Sequence, residues 1–130
     1  MNARFAFLAT VAALALPCAS AIAEEPTRFY CDRTALSAEQ RVQIRTFGHT
    51  LHDAVQRSRE LPNGYEFEFA SDAPTYQALV QYIPLERACC PFFEFNVRVA
   101  PNGGKLYWSL TGPTGVKDFI REELAWLFER

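Results

Sequence analysis

Apolar positions along this chain switch between two spacings, three-to-four residues and two residues, and each switch delimits an element. Ile44, Phe47, Leu51, Ala54 and Val55 recur at helical spacing behind "SAEQ", in which Ser37 reads as an N-cap and Gln40 as its capping-box partner. The pattern predicts a first helix running to about Arg59. "LPNG" then turns the chain, and Tyr65, Phe67 and Phe69 alternate with Glu66 and Glu68, the period of a strand with one dry face. "SDAPT" opens a second helix, with Asp72 as cap and Pro74 in the first turn, where a missing N–H costs nothing. Tyr76, Leu79, Val80 and Ile83 are expected to form its inner face. Pro84 is expected to kink or restart this helix, leaving a last turn from Leu85 to Cys89, and Pro91 pushes Cys90 out of the helical region.

Two further strands follow from alternation. Phe93, Phe95, Val97 and Val99 interleave with Glu94, Asn96 and Arg98, "APNGG" makes a hairpin loop, and Leu106, Trp108 and Leu110 interleave with Tyr107 and Ser109. "TGPTG" leads into a terminal helix with a stripe of Val116, Phe119, Ile120, Leu124, Leu127 and Phe128. The expected fold is α+β in the order α-β-α-β-β-α, a small antiparallel three-stranded sheet with helices packed on one face.

The N-terminus has a different character. Met1 to Arg4 carry one positive charge, "FAFLATVAALAL" from Phe5 to Leu16 is continuously apolar, and Ala19-Ser20-Ala21-Ile22-Ala23 offers small residues for cleavage. This is the layout of a secretory signal peptide, and the run is shorter than the roughly 20 residues of a membrane span. Residues 1–23 are therefore expected to be a signal peptide cut after Ala23, 24–36 an N-terminal extended segment, and 37–130 a single α+β domain. A periplasmic or secreted location follows, and Cys18 would leave with the peptide.

Charge narrows the partners. The chain has 13 Lys and Arg against 15 Asp and Glu, a net charge of −2, and no basic run. Nucleic acid and, after signal cleavage, membrane are poor partners for such a surface.

Of four cysteines, Cys31, Cys89 and Cys90 would remain in the exported chain. An odd count there points to a free thiol, an intermolecular bridge or a metal site. Adjacent residues have Cα atoms about 3.8 Å apart, whereas disulfides usually span roughly 4.4–6.8 Å, so Cys89 and Cys90 are not expected to bridge each other. One reading pairs Cys31 with a member of the pair and leaves the other a small buried hydrophobe. Another makes the sulfurs ligands of a soft cation, which would hold them deprotonated even at a helix C-terminus, where carbonyl dipoles oppose a thiolate. Thiol redox catalysis ranks low, because the helix end has the wrong polarity and a Cys-x-x-Cys arrangement is absent.

Glu86 precedes Cys89 and Cys90 by three and four residues and shares their helix face, although a carboxylate in a last turn has the wrong sign for the dipole. Breaking that local rule marks it as an auxiliary group that tunes the thiols or shields the cation, with pairing to a nearby Lys or Arg as the plain alternative. His49 and His52 could complete a Cys₃His zinc site, but adjacent ligand cysteines fit zinc's usual spacing poorly and the two read better as solvent-facing. "GPTGVK" lacks the spacing of a phosphate loop and reads as a turn.

Together "CDRTALSAEQR", "RELPNGYEFEF", "ERACCPFFEF" and "LTGPTGVKDFI" resemble a group of small, mostly uncharacterised bacterial proteins with a Glu-Arg-x-Cys-Cys-Pro-Phe signature, associated with heavy-metal, especially mercury, resistance gene clusters. The resemblance covers nearly all of the chain after the signal peptide and includes Cys31, Glu86, Cys89 and Cys90. It implies metal handling, and the signal peptide favours a periplasmic version of it.

The leading expectation is non-catalytic binding of a thiophilic metal or metalloid ion, Hg(II), Cu(I) or As(III), through Cys89, Cys90 and Cys31, with Glu86 as auxiliary and the ion or a metal-transfer protein as partner. The chief alternative is a structural or protein-interaction domain with a Cys31 disulfide to the pair. A thiol-dependent organometal-cleaving enzyme is third.

Overall fold

The structure, a computed structural model, describes residues 29–129. The signal-peptide reading of residues 1–23 lies outside them. Among the described residues no helix is long and apolar enough to cross a membrane.

A short 3₁₀ turn, Arg33–Ala35, precedes α1 (Ala38–Ala54), β1 (Val55–Leu61), β2 (Gly64–Phe69), α2 (Ala73–Cys89), β3 (Glu94–Val99), β4 (Leu106–Thr111) and α3 (Val116–Glu123), and a second 3₁₀ turn, Ala125–Leu127, follows. The fold is α+β with a four-stranded antiparallel sheet in the spatial order β1-β2-β4-β3 and the element order α-β-β-α-β-β-α. The expected three strands are corrected to four.

The additional strand is β1, where the sequence pattern extends the first helix. The capping box forms as expected: the Gln40 N–H donates to Ser37 Oγ (3.1 Å) and the Ser37 N–H to Gln40 Oε1 (2.8 Å). The helix stops at Ala54, however, and Val55, already extended at φ −63°, ψ 131°, buries itself as the first strand residue. From Arg57 to Glu60 every residue of β1 is exposed. An edge strand whose middle is exposed on both faces carries no alternation for a sequence reading to find, and its charges discourage pairing with another chain. Pro62 and Asn63 close the hairpin, with Leu61 opposite Gly64. Gly64 is required by close approach: a Cβ there would lie 1.9 Å from the Leu110 carbonyl oxygen on β4.

The central strands follow the alternation. Tyr65, Phe67 and Phe69 of β2 and Leu106, Trp108 and Leu110 of β4 are buried, while Glu66, Glu68, Tyr107 and Ser109 between them are half-buried on the opposite face. There Arg59 pairs with Glu66 at 2.8 Å and the Arg98 guanidinium lies 3.7 Å above the Tyr107 ring. On the dry face Tyr82 of α2 meets Trp108 edge-on at 5.6 Å, and Phe128 meets Phe67 at 5.3 Å. At the other edge, β3 departs from expectation: Phe95 is half-buried and stacks on Trp108, but Val97 and Val99 are 42% and 52% exposed.

Two details of α2 differ from the sequence reading. The helix continues through Pro84 as one element. Pro84 and Val80 are both exposed, so the hydrogen bond that the proline ring removes is lost on the wet side, where water can replace it. The buried face is also turned from the expected one: Thr75, Ala78, Leu79, Tyr82, Glu86 and Cys89 lie inside, whereas Tyr76 and Val80 are 47% and 49% exposed. Of the terminal stripe, Val116, Phe119, Ile120, Leu124 and Leu127 are buried and Phe128 is half-buried, with the helix broken at Leu124 between α3 and the second 3₁₀ turn.

Candidate metal centre

The rotated face of α2 makes the site. Tyr82, Glu86 and Cys89 follow one another at helical spacing on the buried side, so the last turn carries a carboxylate and a thiol into the interior. Pro91 then ends the helix: Cys90 is the C-cap, at φ −126°, ψ 69°, and its N–H donates to the Glu86 carbonyl at 2.7 Å. Because Cys90 leaves the helix while Cys89 stays in it, the two side chains both reach the interior from adjacent positions.

The N-terminal segment supplies the third sulfur. Phe29 packs its ring 4.8 Å from Phe92 and 6.0 Å from Phe119, and the Asp32 N–H donates to the Cys89 carbonyl at 2.9 Å. Asp32 also caps the first 3₁₀ turn, accepting from the Thr34 N–H at 3.0 Å. Held on both sides, Cys31 places its Sγ 2.11 Å from Cys90 Sγ, at disulfide distance, with Cα atoms 5.0 Å apart. Cys89 is unbridged and buried; its Sγ is 3.9 Å from Cys90 Sγ and 3.4 Å from the Glu86 carbonyl oxygen, to which its thiol donates.

The donor atoms of Cys31, Glu86, Cys89 and Cys90 all lie within 4.8 Å of one another, a buried cluster that can hold a metal ion. Glu86 is 3% exposed, and its Oε1 has no hydrogen-bond partner. Burial pushes the Glu86 carboxyl above the usual carboxylate range, against the opposing effects of the Tyr82 hydroxyl and the Arg33 charge. Burial, reinforced by the charge of Glu86, also pushes the Cys89 thiol up to about 11. A buried carboxylate with an orphan oxygen costs stability unless something satisfies it, and a cation among the sulfurs is one chemical answer. Three soft sulfurs and one oxygen suit a thiophilic ion better than calcium or magnesium, which take oxygen ligands.

A cavity of about 340 Å³ opens beside the cluster, between α1, α2 and the two 3₁₀ turns, with Cys31, Glu86, Cys89 and Tyr82 in its wall. His49 and His52 line it too, as exposed groups outside the set of converging donors, so that among the described residues no Cys₃His cluster forms. Arg33 and Arg45 add positive charge. Arg33 and Tyr82 are the residues that sequence reasoning missed. The signal for Tyr82 was available, since it stands one helical turn before Glu86; Arg33 had none, because its approach depends on the path of the N-terminal segment. Arg87, the cation nearest the pair in sequence, is exposed.

No family model, curated protein or solved structure matches the chain.

Proposed function

We propose that this protein binds a thiophilic metal or metalloid ion, Hg(II), Cu(I) or As(III), through Cys31, Cys89 and Cys90 in their reduced form, with Glu86 completing the site, and that it does so without catalysis. The observation that carries this reading is the convergence of three sulfurs and a carboxylate oxygen of Glu86 in one buried place, on a side chain whose Oε1 has no hydrogen-bond partner. The Cys31–Cys90 bridge and the ion exclude each other, since both use the same sulfurs. The site then has two states: a bridged one that leaves Cys89 alone, and a reduced one in which three ligands are free to converge. The resemblance to proteins of heavy-metal resistance clusters and a periplasmic location belong to the same proposal.

The alternative, a structural domain stapled by Cys31 and Cys90, is favoured by their separation and by the Asp32 to Cys89 hydrogen bond beside it. Titration of the reduced protein with Hg(II) and Cu(I) separates the two, followed by thiolate-to-metal absorption in the ultraviolet. One equivalent bound tightly, and lost in the Cys89→Ser/Cys90→Ser variant, is the expected result. Equal binding by parent and variant would place the ion elsewhere.

A further inference from the structure

We propose that the cavity beside the cluster is built for an organic group, so that the site takes a monoorganyl metalloid with two sulfurs on the metalloid and the organic substituent in the cavity. The inference rests on the metal-binding reading and deepens it.

A bare ion held among sulfurs less than 4.8 Å apart needs no adjoining space, yet about 340 Å³ lies open beside them. Roughly 300–1,000 Å³ is the range of pockets that hold small organic ligands, mostly apolar with a few placed polar groups. Leu36, Ile44, Leu124, Tyr82 and Trp126 supply apolar and aromatic wall, Arg33, Arg45, Glu123 and the two histidines supply its polar side, and the unpartnered Oε1 of Glu86, on a side chain 3% exposed, belongs to a residue of the same wall. Cys31 and Cys89 line the cavity; Cys90, fully buried, is not among its lining residues. Two sulfurs and one carbon are the three bonds of a monosubstituted arsenic(III).

Gly48 adds a separate observation. It stands inside α1, where glycine costs up to about 1 kcal/mol relative to alanine. Its backbone does not have a positive φ, and a Cβ there would meet Tyr82 Cε2 at 3.6 Å, an ordinary contact. Neither conformation nor close packing demands glycine at this position. What glycine does there is leave the cavity wall low.

Binding requires the bridge to be opened first. A phosphine reductant takes the oxygen of one water to become its oxide, and Cys31 and Cys90 become thiols. The hydrated organoarsenic, carrying two hydroxyls, then exchanges both for sulfur: the S–H protons of Cys31 and Cys89 leave with the hydroxyls as two waters, two As–S bonds form, and arsenic stays trivalent.

The test compares phenylarsenic(III) with methylarsenic(III), which share the same two-sulfur chemistry and differ in what the cavity must hold, and uses arsenite to check the ion site itself. Calorimetry on phosphine-reduced protein is expected to give phenylarsenic at least about tenfold tighter binding than methylarsenic, from burial of the ring. Gly48→Leu fills the cavity and should reduce that ratio to within about twofold while leaving arsenite affinity in place. Gly48→Ala, which favours the helix, should shift the ratio in the same direction by less and covers the case in which the leucine variant does not fold. Equal affinities for the two organoarsenicals in the parent, or a ratio untouched by both substitutions, would overturn this inference alone. Failure of all three probes to bind would overturn it together with the metal-binding reading.

Discussion

The Sγ atoms of Cys89 and Cys90 lie 3.9 Å apart without bonding to each other, and only Cys90 is at disulfide distance from Cys31. Adjacent cysteines thus receive different assignments: the residue still in the helix keeps its thiol, and the residue that Pro91 pushes out of it reaches the N-terminal segment. A single cysteine at this helix end could serve a bridge or an ion, but it could not leave a second thiol waiting beside the bridge.

Opening the bridge should loosen the N-terminal segment. Cys31 and Cys90 are separated by 59 positions, and closing a loop of that length stabilises a fold by roughly 2–5 kcal/mol, mainly through the unfolded chain. Chemical denaturation with and without reductant should differ by about that amount. Addition of Hg(II) to the reduced protein should restore part of the loss to the extent that the folded cluster holds the ion more tightly than the unfolded thiols do. Identical denaturation midpoints would mean that the bridge does not form in solution.

Glu86 should trade stability for binding. Its carboxyl is raised by burial, opposed by Tyr82 and Arg33 and reinforced by Glu123. A raised carboxyl holds its proton more tightly when folded, so the associated stability is present below the unfolded value near 4.5 and is lost as pH rises through the folded one. At pH 7 Glu86→Gln should therefore raise the melting temperature, by about 4–8 °C for each kcal/mol in a domain of this size. The same substitution should weaken ion affinity. A variant both less stable and unchanged in affinity would assign Glu86 a purely structural role.

Cys89 should be a slow nucleophile at neutral pH. With its thiol near 11, raised first by burial and then by the Glu86 charge, the thiolate fraction grows about tenfold per pH unit until that value is approached. Alkylation of Cys89 in the bridged protein should follow that slope. Stability should decline over the same window, from the ordinary value of 9.0 to about 11, because the unfolded chain gives up the proton first. For the same reason ion binding at pH 7 should release protons, and affinity should fall as pH is lowered. A plateau in alkylation rate near pH 8 would contradict the buried, charge-opposed thiol.

Much of this arrangement is legible in the sequence where local chemistry decides it. Ser37 with Gln40, Asp72 with Pro74, and Pro91 after Cys90 mark helix ends, and the β2 and β4 alternations mark the dry sheet face. Phe29 is apolar and two residues from Cys31, enough to expect that its burial would carry the thiol inward, as its packing on Phe92 and Phe119 does. Edge positions hide themselves, because an exposed strand such as β1 needs no pattern, while Val97 and Val99 on β3 keep one that nothing covers. The face of α2 was legible only to a reader willing to bury a charge. The apolar residues Tyr76 and Val80 invite one orientation, whereas Ala78, Tyr82 and Cys89 indicate the other and place Glu86, one turn from both Tyr82 and Cys89, on the buried side.

The most direct measurement is differential alkylation with peptide mapping, made on the bridged protein, on the reduced protein and on the reduced protein loaded with one equivalent of Hg(II). The expected result is a Cys31–Cys90 peptide pair in the first, three modified cysteines in the second, and protection of Cys31, Cys89 and Cys90 together in the third. Full modification of Cys31, Cys89 and Cys90 in the loaded protein would contradict a metal centre at this cluster.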